Sequence, residues 1–141
     1  MKILAVDFGD ARTGLACCDR TEFLASPVTT IKEWNMERVA RQVADCAAEL
    51  DCGEIVVGLP LNMNGTEGPR AQKCRDFAKL LEGMSTLPIV LWDERATTVT
   101  AAEYLSETGT FGKKRKNIID EVAATIILES YLNYRKNSKK S

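Results

Sequence analysis

Four apolar residues, Ile3–Val6, run without a polar break into Asp7, and a glycine follows at Gly9. Such a run reads as a buried strand. Asp7 then stands at the strand's C-terminal end, where a lone carboxylate is not buried without compensation. An Arg or Lys partner, N–H donors from the turn that Gly9 permits, or a metal ion each supply it. This stretch leaves the three open, and the simplest is a structural Asp bonded to its own turn.

Length and charge narrow the setting. A chain of 141 residues, 45% of them apolar, is expected to form one domain with a sizeable core. The expected domain spans 1–136, with 137–141 as a frayed basic tail. The formal net charge is −1, but it is unevenly spread. Residues 111–141 carry eight Lys or Arg against three Asp or Glu, while the preceding 110 carry eleven against seventeen. A basic end of this kind suits an anionic partner. There are no histidines, which excludes His-based triads, His general bases and most catalytic zinc sites. The five cysteines, at 17, 18, 46, 52 and 74, form no CxxC and no zinc spacing, and read as reduced thiols of a cytosolic protein. No leader pattern opens the sequence and no apolar run approaches about 18 residues, so the expectation is a cytoplasmic protein without a membrane span.

Three strands with short links open the chain and predict an antiparallel meander: Ile3–Val6, Thr13–Cys18 and about Glu22–Ile31. Asp19-Arg20 reads as a tight hairpin turn. Pro27 implies an edge strand or a bulge, and Gly14 permits close backbone approach. Asn35 is placed to cap a helix whose Val39, Val43, Ala47 and Leu50 recur at three- and four-residue spacing, with Gly53 ending it. Glu54–Gly58 is then a buried strand parallel to the first. Leu59–Pro69 is the longest loop, and its Asn-Gly suits a tight turn. A helix over about Arg70–Glu82, a strand Ile89–Trp92, a helix over about Thr98–Ser106, a basic loop Gly109–Lys116 and a last helix over about Asn117–Tyr134 complete the chain. Ile118, Val122, Ile126 and Leu132 are the apolar positions that turn the last helix to the sheet.

This topology aims acids at one place. Asp7 and Asp93/Glu94 end parallel strands and fall on the same sheet edge, where open α/β sheets place ligands. Asp120 lies in the first turns of the last helix, on a face with Ala123 and Ala124. Clustered carboxylates repel one another, and with no histidine available a divalent cation is the natural compensation. Taken singly, each acid also has a plain account: Asp93 or Glu94 paired with Arg95, and Asp120 favoured by the helix dipole. Lys113, Lys114, Arg115 and Lys116 precede Asp120, and such charge beside an acidic site suits a phosphate backbone, although four consecutive bases are more often a solvated run. Arg12 and Arg95 are candidates at closer range. Asn62, Asn64 and Thr66 either bind phosphate or sugar, or satisfy their own turn.

Four segments in order, VDFGDARTGLA, VVGLPLNMNGTEG, WDERATT and KRKNIIDEVAATIILESYL, resemble the YqgF/RuvX family over nearly the whole chain. That family is described as Holliday-junction-resolvase-like and as the pre-16S rRNA nuclease. The resemblance implies an α/β, ribonuclease-H-like fold: a five-stranded mixed sheet, three antiparallel strands first, flanked by helices. It implies a metal-dependent endonuclease that hydrolyses RNA phosphodiesters in 5′-end maturation of pre-16S rRNA. Asp7, Glu94 and Asp120 match the family's acids and would ligate Mg²⁺ or Mn²⁺. Arg95 shares the DER motif with Glu94, and Lys114 and Arg115 fall in the basic segment before the last acid. Asp10 stands where many members carry Ser or Thr. Two other readings stay open at this point: a resolvase acting on branched DNA, and a non-catalytic RNA-binding assembly factor. The expected partners are the rRNA precursor and a ribosomal or processing protein, and the expected state is a monomer or a weak dimer.

Overall fold

A computed structural model of the chain describes residues 1–94 and 112–139, with the backbone alone for 112–119 and 138–139. Five strands, β1 (Ile3–Asp7), β2 (Arg12–Cys18), β3 (Ala25–Lys32), β4 (Glu54–Leu59) and β5 (Ile89–Asp93), form one sheet in the order β3-β2-β1-β4-β5. β1, β2 and β3 pair antiparallel, and β4 pairs parallel with both β1 and β5. Around it stand α1 (Met36–Glu49), α2 (Pro69–Met84) and α3 (Gly112–Lys139). This is the mixed sheet expected above. The helix expected at Thr98–Ser106 lies outside the described residues, as does Arg95.

Alternation along the strands divides the core in two. Leu4, Val6, Leu15, Ile55 and Val57 face α1 and α2, meeting Val39, Val43, Phe77 and Leu81. Ile3, Ala5, Ala16 and Val56 face the other way and meet Ala124, Ile127 and Leu128 of α3. Strands covered on both faces need apolar residues at every position, which is why Ile3–Val6 has no polar break.

Several boundaries differ from the sequence reading, each for a local reason. β3 begins at Ala25, after a loop rather than a tight turn at Asp19-Arg20. Asp19 Oδ1 accepts the Thr21 hydroxyl and the Phe23 N–H, both at 2.9 Å, and holds the loop open. Glu22 sits in it at φ 59°. β3 is the edge strand, and its register shifts between Leu15 and Ala16, opposite Pro27, as the proline required. α1 is capped by Asn35, which accepts the Arg38 N–H at 3.0 Å. It stops before Gly53, because Asp51 takes the left-handed conformation (φ 58°) and the Asp51 and Cys52 amides close on Ala48 and Ala47.

α3 departs furthest. It begins at Gly112, so Lys113–Lys116 form helix rather than a loop; Lys and Arg are strong helix formers once no glycine interrupts them. It also continues through Asn137–Lys139, read above as frayed. Its buried stripe is Ala124, Ile127, Leu128, Tyr131 and Leu132, while Val122 and Ile126 are only partly covered. Asp120 heads that stripe at helical spacing.

Candidate active site

Asp7 sits between two glycines across the sheet. Gly14 on β2 is its antiparallel partner, and Gly58 on β4 lies one step beyond the Val6–Val57 pair. Each glycine admits something a side chain would exclude. A Cβ on Gly14 would stand 2.0 Å from the main-chain oxygen of Asp120, so α3 rests its backbone directly on β2 there. A Cβ on Gly58 would stand 2.5 Å from Glu94 Oε1 and 2.7 Å from Ile127 Cδ1, so the Glu94 carboxyl folds over bare backbone. Both openings are on the α3 face, and both bring an acid toward Asp7.

Burial raises all three acids from their ordinary values. Burial, then the charges of Glu94 and Asp120, push Asp7 up to about 8, and it donates a hydrogen bond to the Glu94 carboxylate. Glu94 is raised by burial, against that hydrogen bond and Arg70. Asp120 is raised by burial, against the pull of Arg12. Asp120 Oδ2 is buried with no hydrogen-bond partner among the described residues, and so is Nε of Arg12. The turn does not satisfy Asp7: the Gly9 N–H is directed to Thr13 Oγ1 at 3.4 Å. That removes the plain account of Asp7 as the anchor of its own loop.

The donor set suits a hard cation, being all carboxylate oxygen with one oxygen left unpartnered. Among the described residues no three His, Cys, Asp or Glu side chains converge closely enough to hold an ion as they stand. Asp7 and Glu94 meet through a proton, and binding an ion would require that proton to leave.

Other expected residues fall as follows. Asn62 Nδ2 donates to Thr66 Oγ1 at 2.9 Å, and Asn64 Oδ1 accepts the Thr66 N–H and hydroxyl at 3.1 and 2.6 Å. These amides brace the turn around Gly65, which has φ 86°. Asp10 forms an exposed pair with Lys73 at 3.0 Å. The side chains of Lys113–Lys116 lie outside the described residues. Arg70 was not foreseen: its Nη2 donates to the Phe8 carbonyl at 2.7 Å, and its charge draws down both Asp7 and Glu94. The signal was available, since Pro69 opens α2 and a base in a first helical turn opposes the dipole. Gly58 was read only as a strand end.

A family model described as "RuvX: Holliday junction resolvase" matches residues 1–134. The chain belongs to the RuvX family. Relatives agree over the full match: a protein of Thermoanaerobacter pseudethanolicus named "Putative pre-16S rRNA nuclease" is 41% identical over 138 residues, covering 97% of this chain and 99% of its own. A protein of the same name from Streptomyces coelicolor is 45% identical over 130 residues, covering 92% of this RuvX chain and 78% of its own. Among solved structures, Thermus thermophilus RuvC in complex with a Holliday junction substrate superposes with TM-score 0.62 at 12% identity, covering 97% and 96% of the two chains. The fowlpox virus resolvase in complex with Holliday junction DNA gives 0.57 at 13%, covering 95% and 98%. At such identities the likeness is one of fold, and this RuvX chain has the ribonuclease-H-like fold its sequence implies. No helix among the described residues is long and apolar enough to cross a membrane.

Proposed function

We propose that this chain is a divalent-metal-dependent endonuclease that hydrolyses RNA phosphodiesters in 5′-end maturation of pre-16S rRNA, acting in the cytoplasm beside a ribosomal or processing partner. The observation that carries the reading is a pair of proton-sharing carboxylates, Asp7 and Glu94, next to the unpartnered buried oxygen of Asp120. The curated relatives' shared name ranks RNA first. The family's description favours branched DNA as the second reading.

Asp7, Glu94 and Asp120 would hold Mg²⁺ or Mn²⁺. Such an ion supplies Lewis acidity toward the phosphodiester and lowers the pKa of an attacking water. The chain's own part is positional and electrostatic. Asp7 surrenders its proton so that the trio becomes a set of oxygen donors. Arg12 and Arg70 lie against the acids and offset their repulsion of a phosphate. Arg95, Lys113–Lys116, Asn62 and Asn64 are the proposed contacts to the strand further out.

The test is cleavage of a precursor 16S rRNA 5′ leader and a four-way DNA junction side by side, with Mg²⁺, Mn²⁺ or chelator. Metal-dependent cutting of RNA is expected, reduced at least about 10³-fold in D7N with the fold intact. D7N cutting as well as the unaltered chain would sink the assignment. Junction cutting alone would shift the reading to DNA.

A further inference from the structure

Trp34 follows the edge strand and is 79% exposed. Its place in the chain gives it an ordinary role that it does not take. It precedes the Asn35 cap of α1, where an apolar residue commonly folds back on the helix's first turn as a staple. Val39, the residue it would cover, is 1% exposed, buried by the sheet, and the indole is left in solvent. Phe23, comparably exposed at the opposite sheet end, carries Lys136 over its ring at 5.5 Å. Among the described residues neither a cation nor another ring lies on Trp34.

The backbone beneath the indole is fixed. The Glu33 N–H donates to the Ala11 carbonyl at 3.1 Å, tying the segment to the start of β2. Glu33 Oε2 accepts the N–H groups of Trp34 and Asn35 at 2.8 and 3.2 Å. A large ring displayed on a pinned backbone binds a flat partner without first paying to order itself.

Its location is the acidic edge. Lys32 pairs with Arg12 across β3 and β2, and Thr30 aligns with Gly14, the partner of Asp7. Two strand spacings across and four residues along put Trp34 at most roughly 16 Å from Asp7. Arg12 and the exposed Lys32 stand across β2 and β3 between Trp34 and Asp7, while Arg38, in the first turn of α1, pairs with Glu33 at 3.7 Å.

We propose that Trp34 is a stacking platform for an unpaired nucleobase of the strand held at the acids, with Lys32 and Arg12 on the intervening backbone. The inference rests on the nucleic-acid reading above and narrows it: the strand is single where it passes Trp34. A base inside a duplex has both faces covered by its neighbours and has none to offer the indole.

The experiment uses chelator, so that binding is separated from cutting. The chain has two tryptophans, Trp34 and Trp92, and W92F leaves Trp34 as the reporter. Single-stranded RNA, its DNA counterpart and a blunt RNA duplex are titrated against W92F, the unaltered chain, W34A and W34F. Quenching of Trp34 by the single strands is expected. W34A is expected to lose about ten-fold in single-strand affinity, the size of one stacked base, with duplex affinity within about two-fold and most of the loss restored in W34F. Single strands that bind W34A as well as the unaltered chain, or a Trp34 signal unmoved at saturation, would overturn the stacking role and leave the nuclease reading standing. Equal loss on the duplex would overturn it too, as a general change of surface. No binding of any nucleic acid would bring down both. Quenching without metal-dependent cutting would keep the platform and remove the catalysis.

Discussion

Asp7 is an acid held in its protonated form by its surroundings, and this has a thermodynamic sign. The folded chain keeps the Asp7 proton up to about pH 8, whereas an unfolded Asp releases it near 3.8. Between those values the folded state binds the extra proton, so without metal its stability falls as pH rises, by up to about 1.4 kcal/mol per unit. Asn keeps the hydrogen-bonding shape without the charge. D7N is therefore expected to raise the melting temperature of metal-free protein at pH 7.5, and to flatten its dependence on pH between about 4 and 8 in thermal scans. Saturating Mg²⁺ is expected to close the gap by stabilising only the unaltered chain. Asp7 and Glu94 were legible as strand-end acids because strand ends are local patterns. The sequence reading puts Asp120 in the first turns of the last helix, yet it stands eight residues inside α3, where its place at Gly14 rather than the helix dipole sets its surroundings. Arg70 was marked only by its place in the first turn of α2; its contact with Phe8 joins residues 62 apart and has no local pattern.

Helix against sheet is where Gly14 and Gly58 divide their labour. The atom nearest a new Cβ on Gly14 is main-chain oxygen, which moves only if α3 moves. On Gly58 the nearest atoms are the ends of Glu94 and Ile127, which rotate away. G14A is thus expected to lose at least about 2 kcal/mol of stability in urea unfolding. G58A is expected to stay within about 1 kcal/mol in the same measurement but to weaken Mg²⁺ binding by calorimetry, because Glu94 is displaced. Strand pairing and core sides could be read from apolar runs. The start of α3 could not, since Gly109 and Gly112 beside a charged run look like loop until helix propensity is weighed against them. The rotation of α3 was equally hidden. Apolar residues lie around most of that helix, and which stripe is buried depends on Gly14 admitting Asp120.

The end of the molecule remote from the acids is fastened by charge. Arg135 Nε donates to Glu22 at 2.6 Å and Nη1 to the buried Glu54 at 3.4 Å, while Tyr131 donates to Glu54 at 2.5 Å. The N-terminal amine completes the cluster on Glu22 at 3.1 Å. Arg135 first, then the amine, depress Glu22 to about 2. A depressed carboxyl stabilises the fold fully above its unfolded value near 4.5, and that stability is lost as pH falls toward 2. R135M is expected to lose about 3 kcal/mol at pH 7, much of it from leaving Glu54 short of a cation. The deficit should shrink when urea titrations are repeated near pH 3.

The order of assembly follows from where α3 sits in the chain. Ile3, Ala5, Ala16 and Val56 are covered by a helix more than a hundred residues downstream of β1. During synthesis the first four strands can pair and dock α1 and α2 while that face is still bare. Asp120 arrives with the helix that covers it, so the third acid and the finished core appear in one event. On the ribosome, the Asp120 carboxyl therefore joins Asp7 and Glu94 only once α3 has been made and has docked on that face.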